Sequence, residues 1–115
     1  MIEAIVIAHL GDELGGIPVF AERPAETVPE TWVLVEKTGS SRTNRIDSAT
    51  IAVQSYAPTL LGAAMLNEEV KSAMDSLIEI GSVSRSALNS DYNYTDTATK
   101  SYRYQAVYDI TYHKE

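Results

Sequence analysis

The stretch SATIAVQSYAPTLLGAAMLNEEVKSAMDSLIEI, residues 48–80, contains the two clearest structural patterns in the chain. Its first part predicts a strand over residues 48–56, with Ile51 and Val53 on one face. Its second part, between Pro58 and Gly81, has apolar residues every three or four positions and predicts a helix over residues 59–80. The apolar positions are Ala63, Leu66, Val70, Ala73, Leu77 and Ile80. The run is too short for a coiled coil, so we expect this helix to pack on a core.

A shorter helix is predicted upstream, over residues 2–14, and Gly15-Gly16 ends it. Its apolar stripe consists of Ile2, Ile5, Val6, His9, Leu10 and Leu14. Residues 18–22 predict a short extended segment, and residues 23–30, with two prolines, predict a loop. Residues 31–37 predict a strand, whereas the polar residues 38–44 predict a loop. The two strands around that loop therefore predict a hairpin with a long tip of about ten residues.

Downstream, residues 82–94 and 101–113 predict a final pair of strands joined by a polar turn over 95–100. Six of the seven tyrosines lie between positions 92 and 112. Two interpretations of the tyrosines stay open, a strand face that covers the core and a surface for a partner. Together the segments predict an α+β fold, an antiparallel sheet of four to five strands with two helices packed on one face.

The chain has 115 residues, of which 44% are hydrophobic and 22% charged, and it contains no cysteine. This length predicts a single domain over residues 1–115. The absence of cysteine excludes disulfides, a cysteine nucleophile and thiolate metal ligands. No apolar run approaches the roughly 18 residues of a membrane helix, so we expect synthesis in the cytoplasm and no membrane partner.

The charge of the chain is both acidic and unevenly distributed. The net charge of −7 would repel nucleic acid, so we expect no specific nucleic-acid binding. Residues 1–36 hold seven acidic residues and one base, whereas residues 37–47 hold Lys37, Arg42 and Arg45 against Asp47 alone. A solvated acidic surface explains this pattern, and so does an acidic face that meets the basic segment of another copy.

The sequence contains no pattern typical of catalysis or of a cofactor. Nucleotide-binding glycine loops, zinc-protease motifs and calcium loops are absent from it. His9 is expected to pack at the edge of the core, and the alternative is a small α+β ligand-binding or hydrolytic domain that uses His9 with Asp12 or Glu13. We therefore expect a protein that is not an enzyme, with no catalytic, cofactor-binding or metal-binding residues.

Several strings in this order of elements resemble the tail terminator (tail completion) proteins of long-tailed bacteriophages. They are Gly16-Ile17-Pro18-Val19-Phe20, Thr31-Trp32-Val33-Leu34-Val35-Glu36, the segment from Asp47 to Pro58, the apolar residues of the long helix, and the closing strand from Tyr102 to Tyr112. The resemblance covers nearly the whole chain, and it rests on packing patterns instead of chemical signatures. Neighbouring neck proteins of the head–tail joint, such as head-completion or stopper subunits, have a similar size and build.

The resemblance implies a structural protein of the virion, from a phage or a prophage, at the junction of tail and head. Six copies would form a ring that caps the tail tube, ends tube growth and joins tail to head. Its partners would be other copies, the tail tube protein and the head–tail connector protein; a monomer in isolation stays compatible, because the tube end can act as a template. In such a ring the acidic first third would meet the basic segment of the next copy, with Lys37, Arg42, Arg45 and Asp47 as contact residues.

Overall fold

The computed structural model describes residues 1–113 and contains two α-helices and five β-strands. In chain order they are α1 (Ile2–Glu13), β1 (Val19–Phe20), β2 (Trp32–Thr43), β3 (Ile46–Tyr56), α2 (Leu60–Asp75), β4 (Val83–Asn93) and β5 (Arg103–Tyr112). The strands form one sheet in the order β1-β2-β3-β5-β4. All neighbours pair antiparallel except β1 and β2, which are parallel. The α+β prediction is therefore confirmed, and the sheet is mixed where an antiparallel one was expected.

Helix α2 lies where its apolar pattern placed it. Thr59 caps the helix, because its side-chain oxygen accepts a hydrogen bond from the main-chain N–H of Gly62 at 3.0 Å. The helix tightens after Asp75 into a 3-10 turn, Ser76–Glu79, so the predicted helical segment is slightly shorter and ends irregularly. The buried residues of α2 include Ala63, Leu66, Val70, Ala73 and Met74.

Both helices pack on the same face of the sheet and share one core. Helix α1 contributes Ile2, Val6 and Leu10, and α2 contributes the buried residues named above. The sheet contributes Val33, Val35, Ile51, Val53, Ala106, Tyr108 and Ile110. A second, smaller cluster lies on the other face, where Trp32, Leu34 and Tyr56 pack with Phe20 and Val28. The rings of Trp32 and Tyr56 stack with centroids 4.1 Å apart and planes 9° apart.

The predicted loop over residues 38–44 is wrong, because β2 continues to Thr43 and pairs with β3 up to Ile46. The tip is a two-residue turn, Asn44 and Arg45, and both residues have left-handed backbone angles, φ 52° and 66°. Two consecutive residues of this kind are typical of the tight turns that match the twist of a hairpin. The segment looked like a loop because its side chains are exposed and carry no apolar alternation, while main-chain pairing holds the strands together.

Within residues 1–113, no helix combines the length and the apolar character that crossing a bilayer requires.

Candidate subunit contact site

The four predicted contact residues lie at or beside the end of the β2–β3 hairpin. We call residues 38–48, the end of the β2–β3 hairpin, the arm; its side chains from Thr38 to Ile46 are exposed. A bulge lies between Lys37 and Gly39, where β2 shifts by one residue relative to β3. Because of this shift, Arg42 lies directly across from Asp47, on the face that carries the helices.

Arg42 and Asp47 form an ion pair across the arm. Arg42 Nε donates to Asp47 Oδ1 at 2.6 Å, and Arg42 Nη2 donates to Oδ2 at 3.3 Å. The Asp47 side chain is only 9% exposed, whereas that of Arg42 is 55% exposed. The hydrogen bond and the negative charge of Asp47 raise the pKa of Arg42 above its ordinary value. The two hydrogen bonds of this pair link the ends of the two strands next to the turn.

Lys37 also has a partner inside the chain. Its Nζ lies 3.8 Å from Glu3 Oε2, so the pair joins the start of α1 to β2. A concavity of about 530 Å³ lies beside the arm and is lined by residues that include Glu3, Lys37, Arg42, Asp47 and Tyr112. Burial, and then the charges of Asp47 and Glu3, raises the pKa of Tyr112. Three of the four predicted contact residues, Lys37, Arg42 and Asp47, therefore lie close together, and each forms an ion pair within its own chain.

Arg45 differs from the other three residues. It lies in the turn at the end of the arm, is exposed, and forms no ion pair with any residue of the described chain 1–113. Of the predicted bases it is therefore the one whose charge is available to another molecule.

A group of exposed acidic residues of the first third lies before β2, at the end of that strand opposite the arm tip. Glu22, Glu26 and Glu30 are exposed in the loop that leads into β2 at Trp32. Twelve residues of β2 separate that loop from the arm tip, about 36 Å at the rise of an antiparallel strand. Arg45 and the acidic loop therefore lie at opposite ends of β2, in a molecule that is 45 Å long and about 26 Å across.

An exposed apolar surface at the start of α2 was not predicted from the sequence. Leu61 and Met65 are 71% and 61% exposed, one helical turn apart. Met65 borders a groove of about 460 Å³, lined by Ile17, Thr31, Ala57, Pro58, Gly62, Met65, Leu66, Glu68 and Glu69. The signal was present in the sequence, because Leu61 and Met65 lie outside the apolar stripe that explains the core-facing side of this helix.

His9 has the packing role expected of it. Its Nε2 lies 2.8 Å from the carbonyl oxygen of Ala73 and 2.8 Å from Ser76 Oγ, so the ring ties α1 to the end of α2. Asp12 and Glu13 are exposed at the end of α1. Among residues 1–113, no cluster of three histidine or acidic side chains could hold a metal ion.

Comparison with known families and curated proteins identifies no relative of this chain. No family model matches the chain, and no curated protein matches it at a significant level.

Proposed function

We propose that this chain is the tail terminator protein of a long-tailed bacteriophage or prophage. Six copies would form a ring on the end of the tail tube, stop the addition of tube subunits and present a surface to the head–tail connector. The protein would then be a component of the virion at the head–tail interface, with no catalytic activity. The proposal starts from the resemblance of the sequence strings, and the arrangement of charge supports it.

The observation that carries the proposal is the separation of Arg45 from the acidic loop that holds Glu22, Glu26 and Glu30. About 36 Å of strand separates the two ends, so they cannot meet within one chain. Two different surfaces that attract each other, at opposite ends of a subunit, favour head-to-tail contacts between copies. Such contacts repeat, and they give a closed ring when the rotation between neighbours closes.

Two further features suit a protein that works by contact. The arm projects polar and exposed side chains along a strand that β1 covers only at Val33 and Leu34, so the outer edge of β2 is open towards the tip. Open strand edges pair readily with other chains unless they are protected. The arm is rigidly paired to its tip, which would hold Arg45 in a defined position before assembly.

The test is a tube-length assay. Tube protein would be polymerised with and without this chain, and tube lengths and tube ends would be measured by negative-stain electron microscopy. We expect shorter tubes whose ends carry a ring with a central hole, and native mass spectrometry of the chain at rising concentration should detect a species of six copies. Tubes of unchanged length without end rings would overturn the proposal. Binding to the head connector alone would instead identify a neighbouring neck protein.

A matched pair of variants tests the charge argument. Arg45→Glu reverses the charge at the arm tip, and Lys100→Glu makes the same change of charge in the exposed turn between β4 and β5, away from the arm. We expect the first variant to lose end rings while it keeps a native circular dichroism spectrum, and the second to assemble normally. Equal assembly of both variants would remove the arm-tip charge from the proposal.

A further inference from the structure

The groove beside α2 has an apolar floor and an acidic rim. Ile17, Ala57, Pro58 and Met65 provide apolar walls, and Glu68 and Glu69 lie on the adjoining turn of the helix. Glu68 already contacts Lys71 Nζ at 2.5 Å. Glu69 is exposed and forms no ion pair with the other residues of the described chain. The groove therefore suits a ligand with one apolar side chain and one neighbouring positive charge.

The arm tip has that composition. Ile46 follows the turn directly and is 51% exposed, the single large apolar side chain in an otherwise polar stretch from Thr38 to Ser48. Arg45 precedes it and has no ion pair among the described residues. An apolar residue beside an unpaired arginine complements an apolar groove beside an unpaired glutamate.

The tip cannot reach the groove of its own chain. Strand β3 runs from Ile46 to Tyr56, and the groove begins immediately afterwards at Ala57 and Pro58. Ten residue steps of strand place the two about 33 Å apart, and β3 is fixed along its length between β2 and β5. Any contact between tip and groove must therefore join two copies.

We propose that the arm tip of one copy docks into the α2 groove of the next, with Ile46 against Met65 and Arg45 paired with Glu69. The groove includes Thr31, directly before β2, so it lies at the same end of that strand as the acidic loop. Within that end, the inference assigns Glu69 of the groove, in place of the loop, as the partner of Arg45. The contact is heterologous, because it joins the tip of one copy to the groove of another. Each copy in the contact keeps its other surface unoccupied, so that further copies can bind. The inference rests on the proposed function only in requiring that copies associate.

A disulfide experiment tests the contact directly, because the natural chain has no cysteine. The double variant Ile46→Cys with Met65→Cys would be oxidised at rising protein concentration, alone and in the presence of purified tail tubes. We expect a ladder of covalent multimers on a non-reducing gel that disappears on reduction. The control pairs Ile46→Cys with Leu88→Cys, an exposed position on β4, and should give no ladder. Absence of the ladder with and without tubes would overturn the inference.

Charge exchange provides a second, independent measurement. Arg45→Glu and Glu69→Arg should each weaken self-association, measured by sedimentation equilibrium and by occupancy of tube ends, by roughly tenfold or more. The double variant should recover most of that loss, because it restores the pair with its signs exchanged. Failure of the double variant to recover would count against the Arg45–Glu69 pair even if the individual changes weaken assembly.

These measurements separate the docking inference from the proposed function. A ladder that ends at six copies would support both. An unlimited ladder would support the docking contact and overturn the sixfold ring. Tubes capped normally by the double-cysteine protein without any cross-link would overturn the docking contact and leave the tail terminator proposal standing.

Discussion

The guanidinium of Arg42 and the carboxylate of Asp47 face each other across the arm, 2.6 Å from Nε to Oδ1, and close the two strands just before the turn. The sequence had suggested that both residues contact a neighbouring copy. Their pairing within the chain gives them a structural role at the end of the hairpin, and Arg45 is the predicted contact base that has no ion pair among the described residues.

The Arg42–Asp47 pair is expected to stabilise the fold, so Arg42→Ala should lower the free energy of unfolding. Asp47 is mostly buried, and its carboxylate loses a two-point partner, whereas solvent screens the exposed guanidinium. We expect a lower midpoint of unfolding, measured by urea denaturation. Arg45→Ala serves as the control, since Arg45 makes no ion pair within the described chain. Equal unfolding midpoints for both variants and the natural protein would contradict a structural role for the pair.

A change in the turn at the arm tip is expected to stabilise the fold. Arg45 has φ 66°, a region where side chains other than glycine are strained. Arg45→Gly should therefore raise the free energy of unfolding by about 0.5–1 kcal/mol, because asparagine followed by glycine is the preferred pair for such turns. The same variant should assemble less well, because it loses the charge at the tip. An increase in both stability and assembly would indicate that the Arg45 side chain affects assembly only through the conformation of the turn, and not through its charge.

Hydrophobic spacing predicted the elements that face the core, and it failed where the core ends. The helix over residues 59–80 and the strand with Ile51 and Val53 were readable because burial imposes a period on apolar residues. The outer half of β2 has no such period, since from Glu36 to Thr43 its side chains are exposed. Only the asparagine at position 44, which tolerates left-handed backbone, pointed to a tight turn.

The candidate site was predictable in part. The basic residues of the arm were visible as a charge pattern, but the bulge before Gly39 decides that Arg42 meets Asp47, and no sequence rule predicts that shift. The groove at α2 depends on Ile17 and Pro58, which are far apart in sequence and meet only in the folded chain. The exposed residues Leu61 and Met65 at this part of α2 were predictable, because they are apolar residues that lie outside the core-facing stripe of the helix.

Gln54 links strands on the face opposite the helices, and its loss should destabilise the sheet. Its side-chain nitrogen donates to Gln105 Oε1 at 2.9 Å, and its oxygen accepts from the Tyr56 hydroxyl at 2.8 Å. Gln54 is only 6% exposed, so Gln54→Ala leaves buried partners without their bonds. We expect a loss of about 1–3 kcal/mol in the free energy of unfolding, measured by urea denaturation.

Ser48→Ala is the control for Gln54, because it changes an exposed residue of β3 without removing a bond of this network. A smaller loss for Gln54→Ala than for the control would show that water replaces the network without penalty.

The buried hydroxyl of Tyr108 should make the fold sensitive to alkali. Tyr108 is fully buried, and burial, followed by the charges of Asp75, Asp91 and Glu68, raises its pKa well above the ordinary value of 10.0. Below pH 10 the hydroxyl is neutral in both folded and unfolded chains, and above it only the unfolded chain releases the proton. The folded state should therefore lose up to about 1.4 kcal/mol of stability for each pH unit above 10 through this group.

Tyr108→Phe removes that contribution, so the difference in unfolding free energy between the variant and the natural protein should change with pH. At pH 7 the variant should be slightly less stable, because it lacks the hydrogen bond from the hydroxyl to the carbonyl oxygen of Lys71 at 3.3 Å. Above pH 10 the gap should narrow and then reverse, as measured by urea denaturation at stepped pH. A constant difference from pH 7 to pH 11 would mean that the folded chain ionises Tyr108 as readily as the unfolded one.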